Sequence, residues 1–209
     1  MFGRGFIFLV SCIFLGQVSA TEGKFLLLLG PSGAGKSTII RYLKEMDERF
    51  VYVSPYTTRN LRLGEKDKIH VTIKELLFLQ ERGALLTVNE IYGIYYATPK
   101  YVIDQALIQG QFPLLDWPVD KMEIMLQNYG EQLFTVYISP ESVEELERRL
   151  QQDGRDQDGV RLMKGREELQ RYHLGDYDHL IHMKVLNVTG KDKEVACDIY
   201  QIFQRVVGL

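Results

Sequence analysis

The chain has 209 residues, 45% of them apolar and 25% charged, and a formal net charge of -3. That length suits one α/β domain with small inserted lobes, with enough apolar material for a real core. The slightly acidic balance argues against nonspecific nucleic-acid binding. The two cysteines, Cys12 and Cys197, have neither CxxC spacing nor a histidine cluster nearby, so no disulfide framework or metal site is read from them.

Residues 1–20 have the layout of a secretory signal peptide: Arg4, an apolar run from Phe6 to Leu15, then Val18-Ser19-Ala20 as a small-residue cleavage site. The run is too short for a comfortable transmembrane helix. A start codon placed upstream of a cytosolic protein gives the same pattern.

Phe25 to Leu29 is a continuous apolar run, the mark of a parallel strand buried on both faces. A glycine loop follows, and Ile39, Ile40, Leu43 and Met46 recur at helical spacing, which predicts a helix from about Lys36. Phe50 to Val53 reads as a second strand, and Ser54 to Asp67 as a loop. Ile73 to Arg82 reads as a helix stopped by Gly83, with Leu76, Leu77 and Leu79 as core candidates. Ala84 to Tyr96 is β-like and broken at Gly93 as a hairpin, and Pro99 reads as the first turn of a helix to Gln109. Phe112 to Leu115 is a strand ending in Asp116, and Leu133 to Ile138 is another. Pro140 is read as opening a helix through Leu150, and polar Gln151 to Gly159 as a mobile loop. A helix from Val160 to Tyr172, a strand from Leu180 to Val185 and a helix from Lys191 to Val207 complete the chain. Strands alternating with helices predict α/β architecture, a parallel sheet covered on both faces.

Gly30-Pro31-Ser32-Gly33-Ala34-Gly35-Lys36-Ser37-Thr38 satisfies G-x-x-x-x-G-K-[ST]. Glycines let backbone N–H groups turn inward around phosphate oxygens. Lys36 supplies a point charge for the β- and γ-phosphates of ATP, the Ser37 hydroxyl is a Mg²⁺ ligand, and the following helix adds its positive end. Asp116, closing an apolar strand, is where a second metal-holding group is expected, acting through water. An ordinary strand-end turn carboxylate is the competing reading.

The segment Ser54-Pro55-Tyr56-Thr57-Thr58-Arg59-Asn60-Leu61-Arg62-Leu63-Gly64-Glu65 resembles the guanylate kinase family, which carries Thr-Thr-Arg-x-x-Arg-x-Gly-Glu after its second strand. The loop form Gly-Pro-Ser-Gly-x-Gly-Lys-Ser-Thr, the hairpin Asn89 to Pro99, Ser139-Pro140 with Arg149-Leu150, Arg161-Leu162 with Glu168-Leu169, and Tyr177-Asp178 are similar to family segments in the same order. The resemblance covers roughly residues 24 to 205. It implies a P-loop NTPase sandwich of three layers, α/β/α, with core 21–53 and 99–209, a monophosphate-binding lobe at 54–98 and a lid at about 151–162. It also implies a nucleoside monophosphate kinase using ATP and Mg²⁺ on GMP or a related monophosphate.

Arg59 and Arg62, three apart and flanked by hydroxyl side chains, suit a clamp on the acceptor phosphate, to which the matched Tyr96 adds a hydroxyl. Arg149 and Arg161 match family lid arginines that neutralise the transferring group; Arg155 and Arg166 flank the same loop. Thr98 keeps its type among the base-reading residues, and Ser54 stands in for a family serine. Thr87 replaces a family glutamate and Pro118 a family aspartate. Lys68 or Ile69 falls where a tyrosine is expected, and Met183 where the last strand has an asparagine. The identity of the base is therefore open. A kinase for another phosphorylated acceptor, such as a sugar phosphate, and a binding module without catalysis are the competing functions. Dependence on ATP favours the cytoplasm and the leader leaves export open. Expected partners are small nucleotides rather than nucleic acid, with no membrane association unless the leader is retained, for a monomer or homodimer. Trp117 and the four histidines are read as packing or hydrogen-bonded residues rather than ligands.

Overall fold

The computed structural model describes residues 24–61, 63–91, 93–154, 156 and 158–209. The leader, Arg62 and Arg155 lie outside the described residues. In chain order the elements begin with β1 (Phe25–Leu29), α1 (Lys36–Met46), β2 (Phe50–Tyr52), β3 (Tyr56–Thr57), β4 (Ile69–His70) and α2 (Ile73–Glu81). They continue with β5 (Leu85–Ile91), β6 (Ile94–Pro99), α3 (Lys100–Ile108), β7 (Phe112–Asp116), α4 (Met122–Tyr129) and β8 (Leu133–Pro140). Helices α5 (Val143–Asp153) and α6 (Val160–His173), strand β9 (Met183–Asn187) and α7 (Asp192–Val206) follow.

Five parallel strands lie in the order β2-β7-β1-β8-β9. All five residues of β1 are buried because helices cover both faces of the sheet. Leu26 and Leu28 point toward Ile39 and Leu43 of α1 and Ile199 and Phe203 of α7. Phe25, Leu27 and Leu29 join Ile103 of α3 and Met122 and Met125 of α4 on the other side. This alternation is the strand period of two, and each such side chain contributes about 1.5–3 kcal/mol on burial. The second sheet, β4-β3-β6-β5, with α2 against it, is the inserted lobe. A capping box between Thr72 and Glu75 starts α2.

Several expectations are corrected. Pro140 is the last residue of β8, paired with Asn187, and opens no helix. Ser142 is the N-cap instead, accepting from the Glu145 N–H at 3.2 Å, and α5 runs on through Asp153 into the segment expected as loop. Pro99 likewise ends β6, one residue before α3. The last strand starts at Met183 and not at Leu180, which belongs to a 3₁₀ turn. β3 lies within the stretch read as loop, β4 follows just after it, and neither β4 nor α4 is expected from the sequence. Leu76 is 1% exposed but Leu77 is 52% exposed, because consecutive helical residues point about 100° apart and α2 buries one face only. Trp117 is buried and its Nε1–H donates to the Lys121 carbonyl, while His182 bonds to Thr135, so both are packing residues. No helix among the described residues is long and apolar enough to cross a membrane.

Candidate active site

The glycine loop lies between β1 and α1. Gly30, Gly33 and Gly35 have φ of 127°, 90° and 98°, where a side chain would be strained. A Cβ at Gly30 would also meet the Ile138 carbonyl of β8, and one at Gly35 the Asn187 side chain. The first turn of α1 has neither a side-chain cap nor an acidic residue, so its free N–H groups and positive end remain for an anion. Thr38 lies in this turn, its N–H bonded to the Gly35 carbonyl at 3.1 Å.

Lys36 folds back so that Nζ donates to the carbonyls of Gly30 at 2.5 Å and Pro31 at 2.9 Å. Burial pushes its ammonium below the usual lysine range, while the nearby carboxylates Asp116 and Glu168 pull it back up. Lys36, Asp116, Arg161 and Glu168 line one cavity of about 590 Å³. Ser37 lines a second, of about 480 Å³, with Arg41, Tyr52, Glu65 and Asp67. The Tyr52 hydroxyl donates to Asp116 Oδ1 at 3.0 Å, orienting the carboxylate at the strand end. The Ser37 hydroxyl and the Asp116 carboxylate are hard oxygen donors, the chemistry Mg²⁺ takes.

Across the second cavity, Arg59 is held by Glu65 through two parallel bonds, Nη1 at 2.8 Å and Nη2 at 2.6 Å, and also reaches the Asn60 carbonyl. With Glu65 first and the Tyr96 hydroxyl second, these bonds raise the guanidinium pKa further. Lys68 pairs with Asp67 and Glu65. Thr87 and Thr98 face each other across β5 and β6, with Thr87 Oγ1 donating to Thr98 Oγ1 at 3.2 Å. Ser54 is half-buried after β2, its N–H on the Tyr52 carbonyl. Pro118 precedes the turn Val119–Lys121, whose lysine donates to Asn89 Oδ1 and links core to lobe at 2.5 Å.

On the lid side, Arg161 at the start of α6 donates from Nη1 to Ser32 Oγ at 3.3 Å, placing its guanidinium over the loop. Gly165 makes that approach possible, since a Cβ there would press on Leu146 and Pro31. Arg166 pairs with Glu147 on the surface, at 3.1 Å. Arg149, expected over the transferring group, is turned behind the loop. It donates to Glu145 Oε1 (2.7 Å), the Ala34 carbonyl (3.4 Å), the Asn187 carbonyl (3.0 Å) and Thr189 Oγ1 (3.0 Å).

Two residues were missed. Glu168, which the sequence shows only within the segment after the lid, has a carboxylate that accepts from the Tyr137 hydroxyl at 3.1 Å, and burial pushes its pKa up. Asn187 holds the end of β9 against the loop: Nδ2 donates to the Ala34 carbonyl at 2.8 Å and to Asp192 Oδ1 at 3.0 Å. Met183, expected at the position of a family asparagine, is the first residue of β9, and Asn187 is the last. Its Oδ1 is buried without a partner among the described residues, which costs about 1–3 kcal/mol.

The family model described as guanylate kinase matches residues 22–196. The guanylate kinase of Aromatoleum aromaticum is 35% identical over 165 residues, covering 76% of this chain and 79% of that one. That of Mesorhizobium japonicum is 35% identical over 173 residues, covering 80% and 78%. A crystal structure of guanylate kinase from Anaplasma phagocytophilum superposes with a TM-score of 0.65 at 24% identity, covering 88% of this chain and 86% of that one, a likeness of fold.

Proposed function

The chain belongs to the guanylate kinase family, and we propose that it transfers the γ-phosphoryl group of ATP to GMP, giving ADP and GDP. A GMP phosphate oxygen attacks the γ-phosphorus, the bond to the β,γ-bridging oxygen breaks, and ADP leaves with that oxygen. The observation that carries this reading is the cavity of about 480 Å³ between Ser37 on the phosphate-loop helix and Glu65, the carboxylate that holds Arg59. It joins a donor-phosphate site to an acceptor-phosphate clamp.

The orphan N–H groups of the loop and of α1 take donor phosphates, and Lys36 exchanges the Gly30 and Pro31 carbonyls for phosphate oxygens. Arg161, over Ser32, stabilises charge that builds during transfer. Ser37 and Asp116 would hold Mg²⁺, Asp116 through water, and the ion supplies charge neutralisation on the phosphates. Arg59, Arg62 and Tyr96 clamp the acceptor phosphate. Thr87, Thr98 and Ser54 offer the base hydroxyls rather than a carboxylate, a weaker demand for the guanine amine.

Initial rates with saturating ATP and Mg²⁺ across GMP, dGMP, AMP, CMP, UMP and IMP test the reading. GDP formation from GMP is expected. ATP binding without turnover of any monophosphate would overturn it in favour of a binding module. Phosphorylation of a base-free acceptor alone would overturn it in favour of a sugar-phosphate kinase.

A further inference from the structure

We infer that Arg149, Asn187 and Asp192 form a strut behind the phosphate loop, and that Arg149 acts as a positioning residue for donor-nucleotide binding, leaving charge stabilisation to Arg161. The inference rests on the loop's being the ATP site.

Ala34 is fully buried, and its carbonyl is held from two directions, by Asn187 Nδ2 at 2.8 Å and by Arg149 Nη1 at 3.4 Å. A trans peptide is planar with its C=O and N–H pointing opposite ways. Fixing the Ala34 carbonyl toward β9 therefore aims the Gly35 N–H away from the strut, as a phosphate donor at the start of α1 requires. Asn187 also packs so tightly against Gly35 that a Cβ there would collide with its Nδ2. Asp192 takes the second hydrogen of that amide at 3.0 Å, which fixes which end of the side chain faces the loop.

Arg149 ties the same assembly together. Four of the five guanidinium hydrogens are engaged, on Glu145, Ala34, Asn187 and Thr189, so one is left for a substrate. Glu145 also takes the Thr189 hydroxyl and Arg148, anchoring the guanidinium in place. Arg161 contrasts with this: it is exposed at the first turn of α6, and its link to the loop is a single bond to a serine hydroxyl. An arginine engaged by two backbone carbonyls on separate elements holds those elements; one on a hydroxyl is free to turn to phosphate.

The full chain and its variants Arg149→Met, Asn187→Ala, the double variant, Asp192→Ala and Arg161→Met would be compared by calorimetry of ADP binding with Mg²⁺. Thermal melting and separate kcat and KM values for ATP and GMP complete the comparison. Arg149→Met and Asn187→Ala are each expected to weaken ADP binding about 10-fold, the loss of one positioning bond, with the GMP KM unchanged. The double variant should lose less than the product of the singles, because both act on one carbonyl. Arg161→Met should lower kcat with ADP binding within about twofold. Should Asn187→Ala fail to fold, Asp192→Ala, which frees the amide without removing it, should still weaken ADP binding. A large drop in kcat for Arg149→Met with ADP binding intact would overturn the assignment, as would unaltered ADP binding in a folded Asn187→Ala or Asp192→Ala. ADP binding needs no acceptor, so a wrong choice of monophosphate would leave these outcomes readable.

Discussion

Replacing Lys36 by methionine keeps the length of the side chain and removes its charge. The structure gives opposite signs for stability and activity. Burial disfavours the ammonium more than Asp116 and Glu168 favour it, so the folded state holds this cation at a cost. Deleting the charge removes that cost and also the bonds to the carbonyls of Gly30 and Pro31, two buried residues, so the gain and the loss offset each other. For a chain of this size about 1 kcal/mol moves Tm by about 2–4 °C, so Lys36→Met is expected to melt within about 3 °C of the parent or above it. Transfer is expected to fall about 10³-fold, about 4 kcal/mol of lost transition-state stabilisation. Differential scanning calorimetry and a coupled assay of ADP release read the two quantities on the same preparation. Retention of more than about a tenth of the rate would refute the placing of Lys36 on the phosphates. A Tm drop of more than about 6 °C would refute the sign of the stability argument, by making Lys36 a structural bridge.

Asp47 ends α1 and ties it to Arg49 and to Tyr200 of α7, and the Arg49 guanidinium holds its carboxyl down to about 2. A depressed carboxylate stabilises the fold above its unfolded pKa of about 3.9 and loses that contribution as pH falls toward 2. Because Arg49 is 40% exposed, we expect about 1 kcal/mol at neutral pH, lost in Asp47→Ala across that window and read by urea melts at pH 7 and pH 3. Tyr52→Phe removes the donor that orients Asp116 and should raise the Mg²⁺ concentration for half-maximal rate about 10-fold; an unchanged Mg²⁺ titration would count against a metal-holding Asp116. Thr87→Glu puts a carboxylate beside Thr98 and should raise the kcat/KM preference for GMP over IMP about 10-fold, since only guanine has the 2-amino donor. An unmoved GMP/IMP ratio would remove Thr87 from the base site.

The sequence by itself determined the elements whose causes are local. The run Phe25 to Leu29, the glycines that must take positive φ and the helical spacing from Ile39 to Met46 each act within a few residues, so strand, loop and helix could be read in order. The Thr-Thr-Arg segment likewise raised the expectation of a clamp, and Arg59 has the Tyr96 hydroxyl beside it. Pro140 misled because proline suits both a helix start and a strand end, and the decision lay with pairing to β9, far along the chain. Arg149 misled for a related reason: a charged residue in the right motif carries no record of which acceptors it meets, and its partners Ala34 and Asn187 lie 115 and 38 residues away. The contacts of Asn187 with Ala34, across 153 residues, and of Glu168 with Tyr137, across 31, exist only once α5, α6 and β9 have packed around the loop. The sequence determined the glycine loop from Gly30 to Thr38 and the helix that follows it. Tertiary structure decided which side chains hold that loop in shape and which one stays free to act, because buried hydrogen bonds are assigned by packing and not by spacing.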